Sequence, residues 1–164
     1  MELRMRAGIL TVSDKGSRGE REDRSGPAIR EMLEAAGAEI VRTAIVADEQ
    51  DEIRAVLVAW SEEGLDLVLT TGGTGLSPRD WTPEATRSVL HRETPGISEA
   101  IRATGLGKTP TAMLSRAVSG IRKSTLIINL PGSERSVRES LAAVIGVLPH
   151  AVETLRGDAG ECAR

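Results

Sequence analysis

Three aspartates and two glycine-containing turns in this sequence each follow a short apolar segment. In a parallel sheet the carboxyl ends of the strands meet at one edge, and ligands bind beyond that edge. If the apolar segments are neighbouring strands, the polar residues that follow them collect at one site. In chain order these residues are Ser13 and Asp14, then Asp48, then Thr71, Gly72, Gly73, Thr74, Gly75 and Asp80, and finally Pro131, Gly132 and Ser133.

The chemistry that this set favours is the binding of phosphate groups together with a divalent cation. Glycine lets backbone N–H groups approach a ligand closely and point at an anion. Magnesium usually takes one or two carboxylates plus substrate phosphates, and Asp48 and Asp80 suit that role. Each carboxylate also has a structural alternative. Asp48 is well placed as a helix N-cap, Asp80 can cap a turn, and Asp14 can stabilise the start of its loop.

Strand-like and helix-like segments alternate along the chain. The segments between the first three apolar runs have helical periodicity, and this β-α-β-α-β order predicts a parallel sheet with right-handed crossovers. The length of 164 residues suits one domain with one core, so we expect a single α/β domain over residues 1–164. The predicted strands are residues 7–12, 39–46, 65–70, 117–121 and 125–130.

Proline, glycine and capping residues predict the boundaries of the helices. We expect a polar loop over residues 13–25, followed by a helix with Pro27 in its first turn. A break is expected at Pro95, because proline interrupts a helix. Ser136 and Glu139 have the spacing of a capping box at the start of the C-terminal helix.

The composition disfavours several classes of function. The net charge is −3, and Trp60 and Trp81 occur without any Phe or Tyr, so the chain lacks the basic surface and stacking side chains typical of nucleic-acid binding. No apolar run is long enough to span a membrane or to form a secretion signal. Cys162 is the only cysteine, which excludes a disulfide framework within one chain and fits a reducing cytoplasm. His91 and His150 belong to no ligand motif and are expected to be structural.

Three common motifs do not fit this sequence. Gly107-Lys108-Thr109 is not a Walker loop, because Arg102 stands where the first glycine belongs. Gly73-Thr74-Gly75 is not a dinucleotide fingerprint, because Pro78 takes the place of the third glycine. No G-x-S-x-G elbow occurs. A hydrolase or phosphatase acting on a small phosphate ester therefore has no visible nucleophile.

Residues 70–86, with the sequence Thr-Thr-Gly-Gly-Thr-Gly-Leu-Ser-Pro-Arg-Asp-Trp-Thr-Pro-Glu-Ala-Thr, closely resemble the signature loop of the MogA/MoaB group of molybdopterin-binding proteins. The same group occurs as domains of gephyrin and of plant molybdenum-insertion proteins. Residues 9–14, 114–118 and 127–133 resemble its first strand and loop, its pre-strand motif and its second binding loop. The resemblance extends from about residue 6 to about residue 155. Trp81 is a departure, since a smaller aliphatic residue is common there.

The resemblance implies a three-layer α/β/α fold with a mostly parallel, mixed central sheet, and a homotrimer. It also implies Mg²⁺-dependent transfer of AMP from ATP to the terminal phosphate of molybdopterin, with release of pyrophosphate. The adenylylated pterin then passes to a molybdate-insertion enzyme. By position, Asp48 and Asp80 correspond to the essential, metal-holding carboxylates of the family. The expected pterin and nucleotide contacts are Ser13, Asp14, Thr71 to Gly75, Ser115, Asn129 and Pro131 to Ser133.

Three questions stay open at this stage. A non-catalytic molybdopterin carrier or scaffold is the main alternative to an enzyme, although a carrier has no need of both Asp48 and Asp80. Retention of Pro78-Arg79-Asp80 also favours the enzyme, because a paralogous branch of doubtful activity has lost this pattern. Arg79 or Arg116 either steadies developing charge or lies at the surface. Molybdenum and tungsten pathways are not distinguished.

Overall fold

The computed structural model describes residues 4–158, so Cys162 lies outside the described residues. A six-stranded sheet forms the middle layer and is built from β1 (Arg6–Val12), β2 (Glu39–Val46), β3 (Leu67–Thr71), β4 (Arg92–Glu93), β5 (Ser119–Arg122) and β6 (Thr125–Leu130). The α-helices are α1 (Asp14–Ser17), α2 (Ser25–Ala35), α3 (Gln50–Glu62), α4 (Thr82–Val89), α5 (Pro95–Leu106), α6 (Glu134–Val144) and α7 (Leu148–Arg156). Two 3₁₀ helices span Pro110–Leu114 and Ile145–Val147.

The strands lie in the order β2-β1-β3-β6-β5-β4. The first four are parallel, β5 is antiparallel to β6, and β4 is antiparallel to β5. Thr71 at the end of β3 pairs with Thr11 of β1 and Leu130 of β6, so three carboxyl ends lie side by side. The predicted mixed sheet with a parallel centre is confirmed.

Each face of the sheet has its own apolar core. Leu67 and Leu69 of β3 face α2, α6 and α7, in a cluster that includes Leu33 and Leu141. Val68, between them in sequence, faces the opposite cluster, which α3 and α4 complete. Side chains alternate across a strand, so a strand buried on both faces is apolar throughout. The expected three-layer arrangement follows from these two cores.

The polar segment before α2 differs from the predicted loop. Residues Asp14–Ser17 form a helical turn, and Ser13 caps it by accepting a hydrogen bond from the Gly16 N–H. Helix α2 begins at Ser25, the last residue of the predicted loop, and has Pro27 in its first turn as expected. Its first N–H groups, from Ser25 and Gly26, donate to the Asp23 carboxylate. The prediction was wrong here because polar residues in a row show no periodicity, although they satisfy the open N–H groups of helix starts.

Two other local predictions are corrected. Ser133, not Ser136, caps α6, because its hydroxyl accepts the Ser136 N–H. The helix that begins at Thr82 ends at Val89, before Pro95, and Pro95 begins α5, since proline at the first helical position loses no hydrogen bond. His91, which belongs to no ligand motif, lies between α4 and β4, where its Nδ1 accepts the Lys123 N–H at 3.1 Å.

The ends of the described chain meet at the amino edge of the sheet. Arg156 of α7 donates two hydrogen bonds to the Asp66 carboxylate, at 2.8 and 2.6 Å, and a third to the carbonyl oxygen of Arg4 at 3.1 Å. Asp66 also accepts the Arg6 N–H at 2.8 Å. Within residues 4–158, no helix combines the length and apolar character that a membrane span requires.

Candidate functional site

A cavity of about 770 Å³ opens at the carboxyl edge of the parallel strands, opposite the edge where the chain ends meet. It lies between the ends of β1, β3 and β6 and the starts of α2 and α6. Its position is the one that the topology of an open α/β sheet favours for a ligand. The lining residues are Thr11, Val12, Ser13, Gly16, Arg21, Glu22, Asp23, Arg24, Ser25, Asp48, Thr71, Gly72, Gly73, Asp80, Gly132, Ser133 and Glu134.

The glycine turn after β3 forms the floor of the cavity. Gly72 and Gly73 have φ values of +97° and +69°, which side-chain-bearing residues rarely adopt. A Cβ on Gly72 would lie 2.3 Å from the carbonyl oxygen of Val12. Thr82, the first residue of α4, fixes the turn because its hydroxyl donates to the Gly72 carbonyl at 2.9 Å and its N–H to the Gly73 carbonyl at 3.1 Å.

Asp48 and Asp80 both face this turn and are half-buried. An added Cβ would lie 3.1 Å from Asp48 Oδ1 at Gly73 and 2.9 Å from Asp80 Oδ2 at Gly75, so only glycine leaves the space beside the carboxylates open. Burial raises the pKa of Asp48, and the charges of Asp14 and Asp80 raise it further, against a hydrogen bond from the Asp14 N–H. Such a pair is stabilised by a cation between its members.

Asp48 does not cap α3, which corrects the structural alternative suggested by its position. Helix α3 begins at Gln50 after Glu49, and no side chain caps it. Asp48, which follows β2, instead accepts the N–H of Asp14, which follows β1, at 2.9 Å. Its carboxylate is therefore held by a neighbouring loop and is directed toward the cavity.

The two arginines considered for charge stabilisation are both engaged within the protein. Arg79 binds the carboxylates of Asp14 and Glu49. Arg116 donates to the carbonyl oxygens of Gly75 at 2.9 Å and Asp80 at 2.7 Å and pairs with Glu84. Arg116 thus fastens the turn that carries Asp80.

The structure places eight of the predicted site residues on the cavity wall and six elsewhere. Those on the wall are Ser13, Asp48, Thr71, Gly72, Gly73, Asp80, Gly132 and Ser133. Those that do not line it are Asp14, Thr74, Gly75, Ser115, Asn129 and Pro131.

Most of the residues outside the wall support those on it. The Pro131 carbonyl accepts the Thr71 hydroxyl at 2.7 Å, and the Thr74 carbonyl accepts the Arg116 N–H at 2.9 Å. The Ser115 hydroxyl accepts the Ala117 N–H at 3.3 Å. Asn129 is fully buried, with its amide used within the protein. Pro131 and Thr74 thus act through main-chain carbonyls and Ser115 and Asn129 through side chains, and none of the four lines the cavity.

Sequence analysis missed the segment at residues 21–25, which forms one side of the cavity together with Thr11 and Glu134. The Thr11 hydroxyl donates to Asp23 at 2.8 Å, and the Ser25 hydroxyl donates to the Gly132 carbonyl at 2.7 Å. The available signal was Asp23 standing before Ser25-Gly26-Pro27, the pattern of a helix start.

Comparison with known proteins agrees with this geometry. A family model described as "Probable molybdopterin binding domain" matches residues 8–150. The molybdopterin adenylyltransferase of Helicobacter pylori strain J99 is 46% identical over 154 residues, covering 92% of this chain and 88% of its own. The molybdopterin biosynthesis enzyme MoaB from Thermus thermophilus is 57% identical, with a TM-score of 0.89, and the match covers 93% of this chain and 97% of that chain.

A more distant structure retains the same fold. The tungsten cofactor synthesizing protein MoaB from Pyrococcus furiosus is 34% identical, with a TM-score of 0.87, and the match covers 95% of this chain and 99% of that chain. The matched family region spans the cavity from β1 through the start of α6. On these grounds, the chain belongs to the molybdopterin-binding domain family.

Proposed function

We propose that this protein is a molybdopterin adenylyltransferase that transfers AMP from ATP to the terminal phosphate of molybdopterin. A phosphate oxygen of molybdopterin attacks the α-phosphorus of ATP and forms a new P–O bond. The bond to the bridging oxygen breaks, and pyrophosphate leaves with the electron pair. The observation that carries the proposal is the pair Asp48 and Asp80, which faces one cavity across a glycine turn.

The charge of the cavity supports a divalent cation as part of this chemistry. Five lining residues are acidic and two are arginines, so a triphosphate entering alone would meet net repulsion. Within residues 4–158, no three His, Cys, Asp or Glu side chains form a complete metal site. Mg²⁺ fits this arrangement because it accepts two carboxylates and completes its shell with substrate phosphates and water. Asp48 and Asp80 would hold the ion, which would supply charge neutralisation at the α-phosphate.

Backbone groups supply the rest of the phosphate site. Helix α6 begins at the cavity wall, at Glu134, whereas the first N–H groups of α2, from Ser25 and Gly26, are already bound by Asp23. A helix N-terminus presents N–H groups and positive potential to an anion. The turn at Gly72 and Gly73 lets the main chain approach a phosphate closely. Such transfers depend on positioning and charge neutralisation and need no covalent nucleophile from the protein.

We further propose a homotrimer in the cytoplasm that hands its product to a molybdate-insertion enzyme. Leu76, Met113 and Leu114 support assembly, since they are 64%, 64% and 47% exposed. The segment that carries Leu76 lies beside the segment that carries Met113 and Leu114, because the Arg116 N–H and Nε donate to the carbonyls of Thr74 and Gly75. Exposed apolar surface of this kind is typical of protein contacts.

The direct test is pyrophosphate release from ATP, molybdopterin and Mg²⁺. Asp80→Asn should lower turnover by about 10²-fold or more, because the cation loses one of its two charged ligands. Molybdopterin binding should persist, since the variant keeps the shape of the cavity. Asp158→Asn, an exposed change after α7, is the matched control and should retain native turnover.

Two outcomes would contradict the proposal. Native turnover in Asp80→Asn would show that the Asp80 carboxylate does not hold a catalytic metal ion. Tight molybdopterin binding without any pyrophosphate release by the native protein would favour the carrier.

A further inference from the structure

Arg79 connects the two loops that carry the site carboxylates. It directly precedes Asp80, and its guanidinium donates from Nε and Nη2 to the two oxygens of Asp14, both at 3.0 Å. Nη2 also donates to Glu49 Oε1 at 2.8 Å. Glu49 directly follows Asp48. The Arg79 side chain therefore links the loop that carries Asp80 to the segment that carries Asp48.

Asp14 extends this connection to Asp48 itself. The Asp14 N–H donates to Asp48 Oδ2 at 2.9 Å, and the Asp48 N–H donates to Asp14 Oδ1 at 3.0 Å. Both oxygens of Asp14 are thus occupied, and this residue does not line the cavity. The hydrogen bonds run from Arg79 through Asp14 to Oδ2 and the main-chain N–H of Asp48.

The positive charge of Arg79 offsets the repulsion between the neighbouring carboxylates. Asp14, Asp48 and Asp80 lie close enough that the charges of the other two raise the pKa of Asp48. Hydrogen bonds from Arg79 lower the pKa of Asp14, with a smaller contribution from the Asp48 N–H. Without the guanidinium, the repulsion between the Asp14 and Asp48 carboxylates would be opposed only by the two hydrogen bonds that their N–H groups donate, and the contact between the loops would weaken. A lysine cannot replace it, because an ammonium lacks the planar fork that binds two oxygens at once.

We propose that Arg79 is a positioning residue that, through Asp14 and Glu49, sets the separation of Asp48 and Asp80 for the divalent cation. The inference rests on the proposed function and assigns Asp14 a role through Asp48, not by contact with substrate. Residues that orient metal ligands affect metal affinity nearly as much as the ligands do. Arg79 should therefore control the response to Mg²⁺ more than the binding of molybdopterin.

The experiment compares Arg79→Lys, Arg79→Gln and Asp14→Asn with the native protein. In each variant the Mg²⁺ concentration for half-maximal pyrophosphate release should rise about 10-fold or more. The KM for molybdopterin should change less than about 2-fold, since the cavity wall is intact. Arg30→Gln is the matched control, because Arg30 is an exposed arginine paired with Glu34 on α2 and does not contact the Asp48 and Asp80 loops.

A second measurement needs no turnover. Trp81 follows Asp80 and is 42% exposed, whereas Trp60 is 7% exposed, so acrylamide quenching of fluorescence reports mainly on the Asp80 loop. Quenching should increase in Arg79→Gln and Arg79→Lys but not in Arg30→Gln.

The outcomes separate this inference from the proposed function. Unchanged quenching together with an unchanged Mg²⁺ requirement in folded Arg79→Gln would overturn the positioning role. A lysine variant equal to the native protein in both measurements would overturn the argument from the guanidinium fork. If the native protein releases no pyrophosphate, the proposed function fails, and the quenching comparison still decides whether Arg79 holds the loop.

Discussion

Replacing Asn129 with leucine removes the side chain that joins β3, β6 and α4 while keeping nearly the same shape. Its Nδ2 donates to the hydroxyls of Thr70 at 2.9 Å and Thr86 at 3.0 Å. Its Oδ1 accepts the Val118 N–H at 3.2 Å. All four residues are buried, so each group left without a partner contributes its full desolvation penalty.

The size of the effect follows from these three bonds. The orphaned Val118 N–H costs about 1–3 kcal/mol, and each lost hydroxyl bond costs about 0.5–1.5 kcal/mol. The sum is about 2–6 kcal/mol, and the apolar burial of leucine offsets part of it. We expect the free energy of unfolding to fall by about 3 kcal/mol. For a chain of this length the melting temperature should fall by about 6–12 °C.

Urea unfolding followed by tryptophan fluorescence measures this loss, since Trp60 is buried in the core. Thr70→Val is the companion variant. The double variant should lose less than the sum of the two single changes, because both act on one hydrogen bond. An Asn129→Leu protein that unfolds at the native urea concentration but no longer binds molybdopterin would refute the reasoning. Asn129 would then be a ligand contact, as the family resemblance suggested.

Two further predictions concern the cavity. The folded pKa of Asp48 lies above its ordinary value of 3.8, so its ionisation destabilises the fold at neutral pH, and the penalty disappears as the pH falls below that value. Asp48→Asn should resist urea better than the native protein at neutral pH but not in acid; an advantage that persists in acid would exclude charge as the cause. Gly72→Ala should destabilise the fold by about 2 kcal/mol or more, because φ is +97° and the new Cβ meets the Val12 carbonyl. Gly146→Ala is the control and should not destabilise the fold, because no atom lies within 4 Å of the added Cβ. Equal urea midpoints for the Gly72→Ala and Gly146→Ala proteins would contradict this account.

The sequence predicts five of the six strands, because these are largely apolar runs bounded by polar residues, whereas the two-residue strand β4 has no such pattern and was not predicted. The bounds of β3 and β5 differ from the predicted ones by up to two residues. β2 and β6 begin and end at the predicted residues, and β1 differs by one. Asp48 and Asp80 could be placed at one edge because parallel strands align their carboxyl ends. Arg79 and Asp14, by contrast, are joined across 65 residues of chain, and local periodicity contains no such information.

The side of the cavity formed by residues 21–25 shows the same limit. Asp23 looks like one of several charges in a polar run, and only the fold brings it to the Thr11 hydroxyl and the start of α2. Ser133 and Ser136 are both plausible caps for α6. The choice between them depends on where β6 ends and on the turn that follows, which is a tertiary property.

The contact between Arg156 and Arg4 has a consequence for how this fold can be combined with others. The two ends of the described chain lie side by side at the amino edge of the sheet, and the cavity opens at the carboxyl edge. A host polypeptide could enter and leave through this one point without its connecting segments crossing the cavity mouth. The geometry therefore suits the domain to insertion, tandem fusion or circular permutation, because each joins chain at a place remote from the reacting groups.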